Sequence, residues 1–246
     1  MHFKAKTVGA KRPHYRRRLE LHLSHHGTLD CGLLDNRPGL QINYQSIGSG
    51  GGIRQLKEGT VDFDAALDDH ELQSMPALVQ IPESAGPVCI TYNLPELKAP
   101  LRLSGPTLAK IFLGEIQTWQ DPAIAKDNPG VSLPGHTVVV GHRSDGSGTT
   151  NIFTTYLAKV SPDWGQKVGK GLAVNWPVGL GGKGSEGVAG LVKQTPGAIG
   201  FVELSYASEN HLPVSKSRTG RGIGSIRVRP EPRPRSRLFS KNWKKT

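Results

Sequence analysis

The chain has 246 residues and a formal net charge of +11, long enough for one large domain or two small ones and too long for a disulfide-stapled mini-fold. Hydrophobic residues make up 36% and glycines number 31, so glycine stands where large side chains would otherwise be, and many tight backbone sites are expected. No run of about 18 apolar residues occurs, which excludes a transmembrane helix.

The charge is unevenly placed. Residues 1–18 carry seven Lys/Arg and no acid, and 214–246 carry eleven Lys/Arg against one acid, Glu231. The stretch between them, 19–213, holds 13 basic and 19 acidic residues, a net of −6. The basic ends therefore set the overall charge, which says nothing about what the acidic body binds. Cys31 and Cys89 lack CxxC spacing and do not report a redox compartment; one disulfide is the most they allow.

Residues 1–38 are basic and His-rich without clear periodicity, and no element is expected there. Arg18 is followed by Leu-Glu-Leu-His-Leu-Ser-His-His, too polar for the core of a secretory signal, so the chain as written shows no export signal. Gln41 to Ile47 predicts a strand entering Gly48-Ser49-Gly50-Gly51-Gly52, then a short helix with Ile53 and Leu56. Val61 to Ala66 and Val88 to Tyr92 predict two more strands, the latter buried. Ser104-Gly105-Pro106 opens a helix with Leu108, Ile111 and Phe112 on one face and Gly114 as its stop. Thr137 to Val140 reads as a strand running into His142-Arg143-Ser144-Asp145-Gly146-Ser147-Gly148-Thr149, then a helix with Ile152, Phe153, Tyr156, Leu157 and Val160. A turn over Gly179 to Gly184 precedes a helix with Val188, Leu191 and Val192, and Ala198 to Val202 closes as a strand. Arg227 to Arg237 alternates Arg with Pro, Val and Ser, and residues 215–246 read as a disordered tail. Strand, glycine loop and helix recur three times, the pattern of an α/β protein with mostly parallel strands.

The 142–149 segment carries the sharpest chemistry. A strand that ends in a Gly/Ser/Thr loop and restarts as a helix presents free backbone N–H groups, hydroxyls and the positive end of the helix dipole at one point, which favours an anion. Arg143 adds a planar bidentate donor, and Asp145 is placed to hold that guanidinium; the bland alternative is a polar turn capped by Asp145 or Ser147. Ser49 with Gly50, Gly51 and Gly52 repeats the same physics more weakly, and two such loops at strand ends suit the ligand crevice of an α/β sheet. Other chemistries fail on spacing. Gly182-Lys183 is followed by Gly184 rather than Ser or Thr, so no P-loop is present. Ser147 and Ser49 lack the first glycine of a nucleophile elbow. His22, His25 and His26 with Cys31 have no further ligand nearby to complete a zinc site, and no cofactor is expected. Trp119 and Trp176 read as packing residues. The arginine tail offers only salt-dependent contact with phosphate backbones.

Several blocks resemble the PstS-type phosphate-binding proteins of bacterial phosphate ABC transporters: YQSIGSGGGI (44–53), TVDF (60–63), YNLP (92–95), IFLGEIQTWQDPAI (111–124), HRSDGSGTT (142–150), NWPVGLGGKGSEGVAGLVKQTPGAIGFVE (175–203) and SYASENHLPV (205–214). The resemblance implies a two-lobed periplasmic-binding-protein fold of α/β class that closes on one phosphate and delivers it to membrane permease subunits. It also implies a periplasmic, monomeric receptor without catalytic activity. Carried over by motif, Ser49, Arg143, Ser147, Gly148 and Thr149 would bind phosphate, with Asp145 orienting Arg143 and Gly50 supporting Ser49. The family places an aspartate after the TVDF block to accept the proton of monohydrogen phosphate. An ungapped count puts Leu67 there, so either Asp68 takes that place after a loop shift or the acceptor is missing.

The resemblance breaks at both ends. The implied division is a divergent basic segment over 1–38, a remnant of the first lobe over 39–85, an intact second lobe over 86–204, a return to the first lobe over 205–214, and the Arg/Pro tail over 215–246. Loss of resemblance together with a jump in basic charge suggests a frame-shifted or rearranged gene. The first alternative reading is accordingly a non-functional remnant of such a receptor that, translated as written, stays in the cytoplasm. A basic-tailed nucleic-acid-binding module is a second, although no specific nucleic acid is expected.

Overall fold

Residues 2–7, 40–45, 47–61, 63–64, 69–75, 78 and 86–217 are described by a computed structural model of the chain. Its main sheet has four strands: β4 (Val88–Tyr92), β6 (Val139–Arg143), β7 (Leu180–Gly182) and β8 (Ala198–Glu203) lie in the order β4-β8-β6-β7. β6 runs parallel to both β7 and β8, whereas β4 pairs antiparallel with β8, Val88 opposite Glu203 and Tyr92 opposite Ile199. The sheet is thus mostly parallel, with β4 as one antiparallel edge strand.

Burial on both faces explains why β4 and β8 read as near-continuous apolar runs, since each successive side chain meets a different helical layer. Val88, Ile90, Tyr92, Ile199 and Phe201 enter the large core. That core includes Leu108, Ile111 and Phe112 of α3 (Gly105–Phe112) and Phe153 and Leu157 of α5 (Gly148–Val160). Cys89 and Val202 face the other way, onto Val188 and Ala189 of α7 (Gly184–Gln194) and Ala207 of α8 (Leu204–Glu209). Burial pushes the Cys89 thiol up to about 12, and the nearby Glu203 charge adds to the shift.

Phe153 ties the large core together, stacked on Phe201 at 4.4 Å and edge-on to Phe112 at 4.8 Å. Such aromatic pairs add about 0.5–1.5 kcal/mol each beyond their buried area. Trp119 and Trp164 are fully buried, and their indole N–H groups donate to the Gly197 and Gly169 carbonyls. The start of α3 follows its sequence signals, with Ser104 accepting from the Thr107 amide, Pro106 in the first turn and Gly114 at φ +77° just beyond the end.

A second, three-stranded sheet comprises β1 (His2–Thr7), β2 (Leu40–Gln45) and β3 (Phe63–Asp64) in the order β2-β1-β3, antiparallel throughout. β1 falls in the segment where no element was expected. Its pairing partners lie more than thirty residues away, which local periodicity does not register. α1 (Gly48–Lys57) follows β2, and α2 (Asp69–Ser74) follows β3. Ile53, Leu56, Val61 and Leu78 form a small core of their own, with Leu172 packed against it.

Four short elements complete the framework as described. β5 (Arg102–Leu103) pairs in parallel with β9 (Lys216–Ser217), and the Ser215 amide donates to the Ile90 carbonyl at 2.9 Å. Of the tail expected from residue 215 onward, 215–217 are instead stitched into the fold, and 218–246 lie outside the described residues. α4 (Pro122–Asp127) and α6 (Pro162–Lys167) are short helices capped by Asp121 and Ser161. No helix among the described residues is long and apolar enough to cross a membrane. His22, His25, His26 and Cys31 lie outside the described residues, as do Leu67 and Asp68.

Candidate anion-binding site

β6 delivers Arg143 to the end of the main sheet, where its side chain is 8% exposed. A guanidinium so enclosed needs hydrogen-bonded company. Asp145 supplies it bidentately, accepting from Nε at 2.7 Å and from Nη2 at 2.5 Å. Nη1 donates to Ser185 Oγ at 3.4 Å, and the Gly184 amide donates to Asp145 Oδ1 at 3.2 Å. Of the five guanidinium N–H groups, two remain uncommitted among the described residues. Partial burial pushes the Asp145 carboxyl up, but the Arg143 hydrogen bonds, the Arg143 charge and the Gly184 amide outweigh it and hold the group below its ordinary value. Asp145 is therefore an ionised acceptor whose lone pairs already serve Arg143 and Gly184.

The chain then turns into α5. Ser147 caps the helix, its Oγ accepting from the Thr150 amide at 3.3 Å while its own amide donates to the Leu172 carbonyl at 2.8 Å. The first-turn amides of a helix have no partners within the helix. Here the Gly148 amide donates to Ser49 Oγ at 3.3 Å, and the Thr149 amide has no partner among the described residues. Thr150 Oγ1 is buried and likewise unpartnered among them.

Ser49 belongs to α1, whose residues Gly48, Ser49 and Gly50 start the helix with no side-chain cap. The positive ends of two helix dipoles therefore meet beside the Arg143–Asp145 pair. Because Ser49 Oγ acts as acceptor toward Gly148, its hydroxyl proton stays free to be donated. The Gly50 amide donates to the Gly146 carbonyl at 3.0 Å and is committed to that contact. The fold thus brings Ser49, Arg143, Asp145, Ser147, Gly148 and Thr149 together from segments about a hundred residues apart.

Ser185, Gly184, Gly146 and Leu172 also shape the site, and none was among the site residues expected from the sequence. The turn over Gly179 to Gly184 was a visible signal, but its role depends on β7 pairing with β6, Arg143 opposite Gly182, which spacing does not reveal.

Residues 29–230 match the model of a PBP superfamily domain. The chain belongs to the PBP superfamily. Within it the chain is 53% identical over 178 residues to the phosphate-binding protein PstS of Xylella fastidiosa (strain 9a5c), covering 71% of this chain and 49% of that protein. It is 50% identical over 183 residues to the phosphate-binding protein PstS of Pasteurella multocida (strain Pm70), covering 73% of this chain and 53% of that one. The chain spans about half the length of these curated relatives. Among solved structures, a phosphate ABC transporter substrate-binding protein with bound phosphate from Clostridium perfringens superposes with a TM-score of 0.58. It is 20% identical, and the match covers 76% of this chain and 68% of that one. That likeness carries the fold, the two-lobed α/β architecture of the PBP superfamily. In this PBP chain the two helix N-termini and the Arg143–Asp145 pair form an arrangement able to hold a compact oxyanion by hydrogen bonds.

Proposed function

We propose that the chain binds inorganic phosphate and serves as the substrate-binding component of ABC-type phosphate import. The observation that carries this reading is the meeting of the α1 and α5 N-termini, Ser49 Oγ within 3.3 Å of the Gly148 amide, beside an arginine held bidentately by Asp145. The names of the relatives at 53% and 50% identity support it. In this reading Arg143 gives its two uncommitted N–H groups to the anion. The Ser49 and Ser147 hydroxyls and the Thr149 amide supply further donors, and the Gly148 amide joins them by exchanging its 3.3 Å bond to Ser49 Oγ for the anion. Asp145 orients Arg143, and Gly50 holds the Ser49 end in place. Asp68 is the proposed acceptor for the proton of monohydrogen phosphate, which would reject fully ionised sulfate.

The working protein is a periplasmic monomer that binds and releases phosphate without chemistry at phosphorus and docks with the transporter's permease subunits. Residues 86–204 act as one lobe, with 205–214 packed onto it through Ala207 on Cys89 and Val202 and through the Thr91–Val214 bridge, and 39–85 contribute to the other.

Calorimetric titration of the full chain with phosphate, then with sulfate, tests the reading. Phosphate should give saturable heat. Arg143→Ala removes charged hydrogen bonds worth about 1.5–3 kcal/mol each, so the affinity should fall about a hundredfold or more. No saturable heat, or equal affinity in Arg143→Ala, would sink the proposal.

A further inference from the structure

α1 and the turn between β6 and α5 touch backbone to backbone. The Gly50 amide donates to the Gly146 carbonyl at 3.0 Å. A Cβ at Gly146 would lie 2.9 Å from Gly50 Cα and 3.2 Å from Gly50 N, and a Cβ at Gly50 would lie 3.0 Å from Gly146 Cα. A Cβ at Gly48 would collide with the Asp145 carboxylate and lie 2.9 Å from the Gly146 carbonyl oxygen. The obstacles at positions 50 and 146 are main-chain atoms, which cannot swing aside as a side chain could. Neither Gly50 nor Gly146 has positive φ, unlike Gly48 at +75°, so what demands glycine at these two positions is space across the contact rather than local backbone geometry.

We propose that Gly50 and Gly146 are positioning residues, a backbone spacer that fixes how far the α1 donors stand from the Arg143 and α5 donors and so sets the size of anion the site accepts. The spacing matters because the two halves of the site share little else. The Gly148 amide to Ser49 Oγ bond crosses the same contact, and Leu172 packs its side chain on the α1 core while its carbonyl holds the Ser147 amide. An added methyl group at either glycine wedges the helix starts apart, so that one tetrahedral oxyanion no longer reaches both sets of donors. The effect is separable from helix stability. Gly50 lies inside α1, where alanine is the better helix former, yet Gly50→Ala should weaken anion binding.

The inference rests on the phosphate reading for the identity of the anion only. The test uses the full chain as wild type, Gly50→Ala and Gly146→Ala, with two measurements: hydrogen exchange over 47–57 and 143–150, and titration with inorganic phosphate. Both variants should exchange faster in those two segments and as slowly as wild type over 88–92 and 198–203, and phosphate affinity should fall about tenfold or more. Unchanged exchange at 47–57 and 143–150 overturns the spacer, as does faster exchange with full affinity. Lost protection at 88–92 and 198–203 also overturns it, because the contact would then govern folding generally. If wild type binds no phosphate the functional reading fails, and the exchange pattern alone decides the spacer.

Discussion

At Arg143 desolvation and electrostatics pull in opposite directions. Enclosing a guanidinium is unfavourable by itself, and the bidentate Asp145 carboxylate with the Ser185 hydroxyl offsets that cost while leaving two N–H groups uncommitted. A pH dependence follows. The Asp145 carboxyl lies below its ordinary value of 3.8 in the folded chain, so in the unfolded chain it takes up its proton at higher pH. The stability it contributes is complete above that ordinary value and disappears as pH falls through the lowered folded value. Asp145→Asn should therefore be less stable than wild type at pH 7, by about 1.5–3 kcal/mol for a lost charged hydrogen bond. The gap should close in strong acid. Urea unfolding of both proteins across pH 2–7 measures it, and a gap that stays constant with pH would refute the assignment. The proximity of Arg143 to Asp145 is legible in the chain because they are two residues apart. Ser185 and Gly184, about forty residues on, become partners only through strand pairing.

Among the elements, α5 joins folding to binding most directly. Its first residues cap the helix and also present the site's amides, so a substitution there has to be read on two axes. Ser147→Ala removes the cap to Thr150 and should lower stability by about 1 kcal/mol. Ser147→Asp keeps a good cap and a favourable charge at the helix N-terminus, so thermal stability should hold, while the carboxylate repels phosphate and binding should be abolished. Melting temperature and phosphate titration together separate the roles; retained binding in Ser147→Asp would mean that Ser147 is a cap only. Helix starts such as Ser104 at α3 and Ser147 at α5 are read from sequence easily, since capping is local. Short strands are not. β5, β7 and β9 span two or three residues each and owe their existence to neighbours supplied by distant segments, a contribution outside intrinsic propensity.

Among the described residues of the molecule the apolar burial is lopsided. The large core around Phe112, Phe153, Phe201, Trp119 and Trp164 sits on one face of the four-stranded sheet, with Cys89, Val188 and Ala207 on the other, whereas the core under α1 comprises four buried residues among those described. Cooperative stability scales with buried apolar area, so the α1 region should open well below the global unfolding free energy. Limited proteolysis should cut within the first 85 residues and leave a resistant fragment reaching from about residue 86 to at least Ser217, the last residue of β9. Uniform digestion through 88–203, or equal resistance of both halves, would contradict that ordering. Bound phosphate should slow the early cuts, since a ligand that bridges Ser49 and Arg143 favours the state in which both are in place.

Read without its fold, the chain already declares an α/β protein, the strands at 88–92 and 198–202, the helices after Ser104 and Ser147, and the anion-seeking chemistry of the 142–149 turn. These signals are local: a cap lies within three residues of what it caps, and a buried strand shows in its own apolar run. Tertiary structure alone decides the antiparallel placement of β4 beside β8, the pairing of 216–217 with 102–103, the strand at 2–7, and above all the seating of Gly50 on Gly146. Each of those joins residues far apart in the chain through backbone groups. A backbone amide or carbonyl is the same at every position, so only the assembled fold shows where each one points.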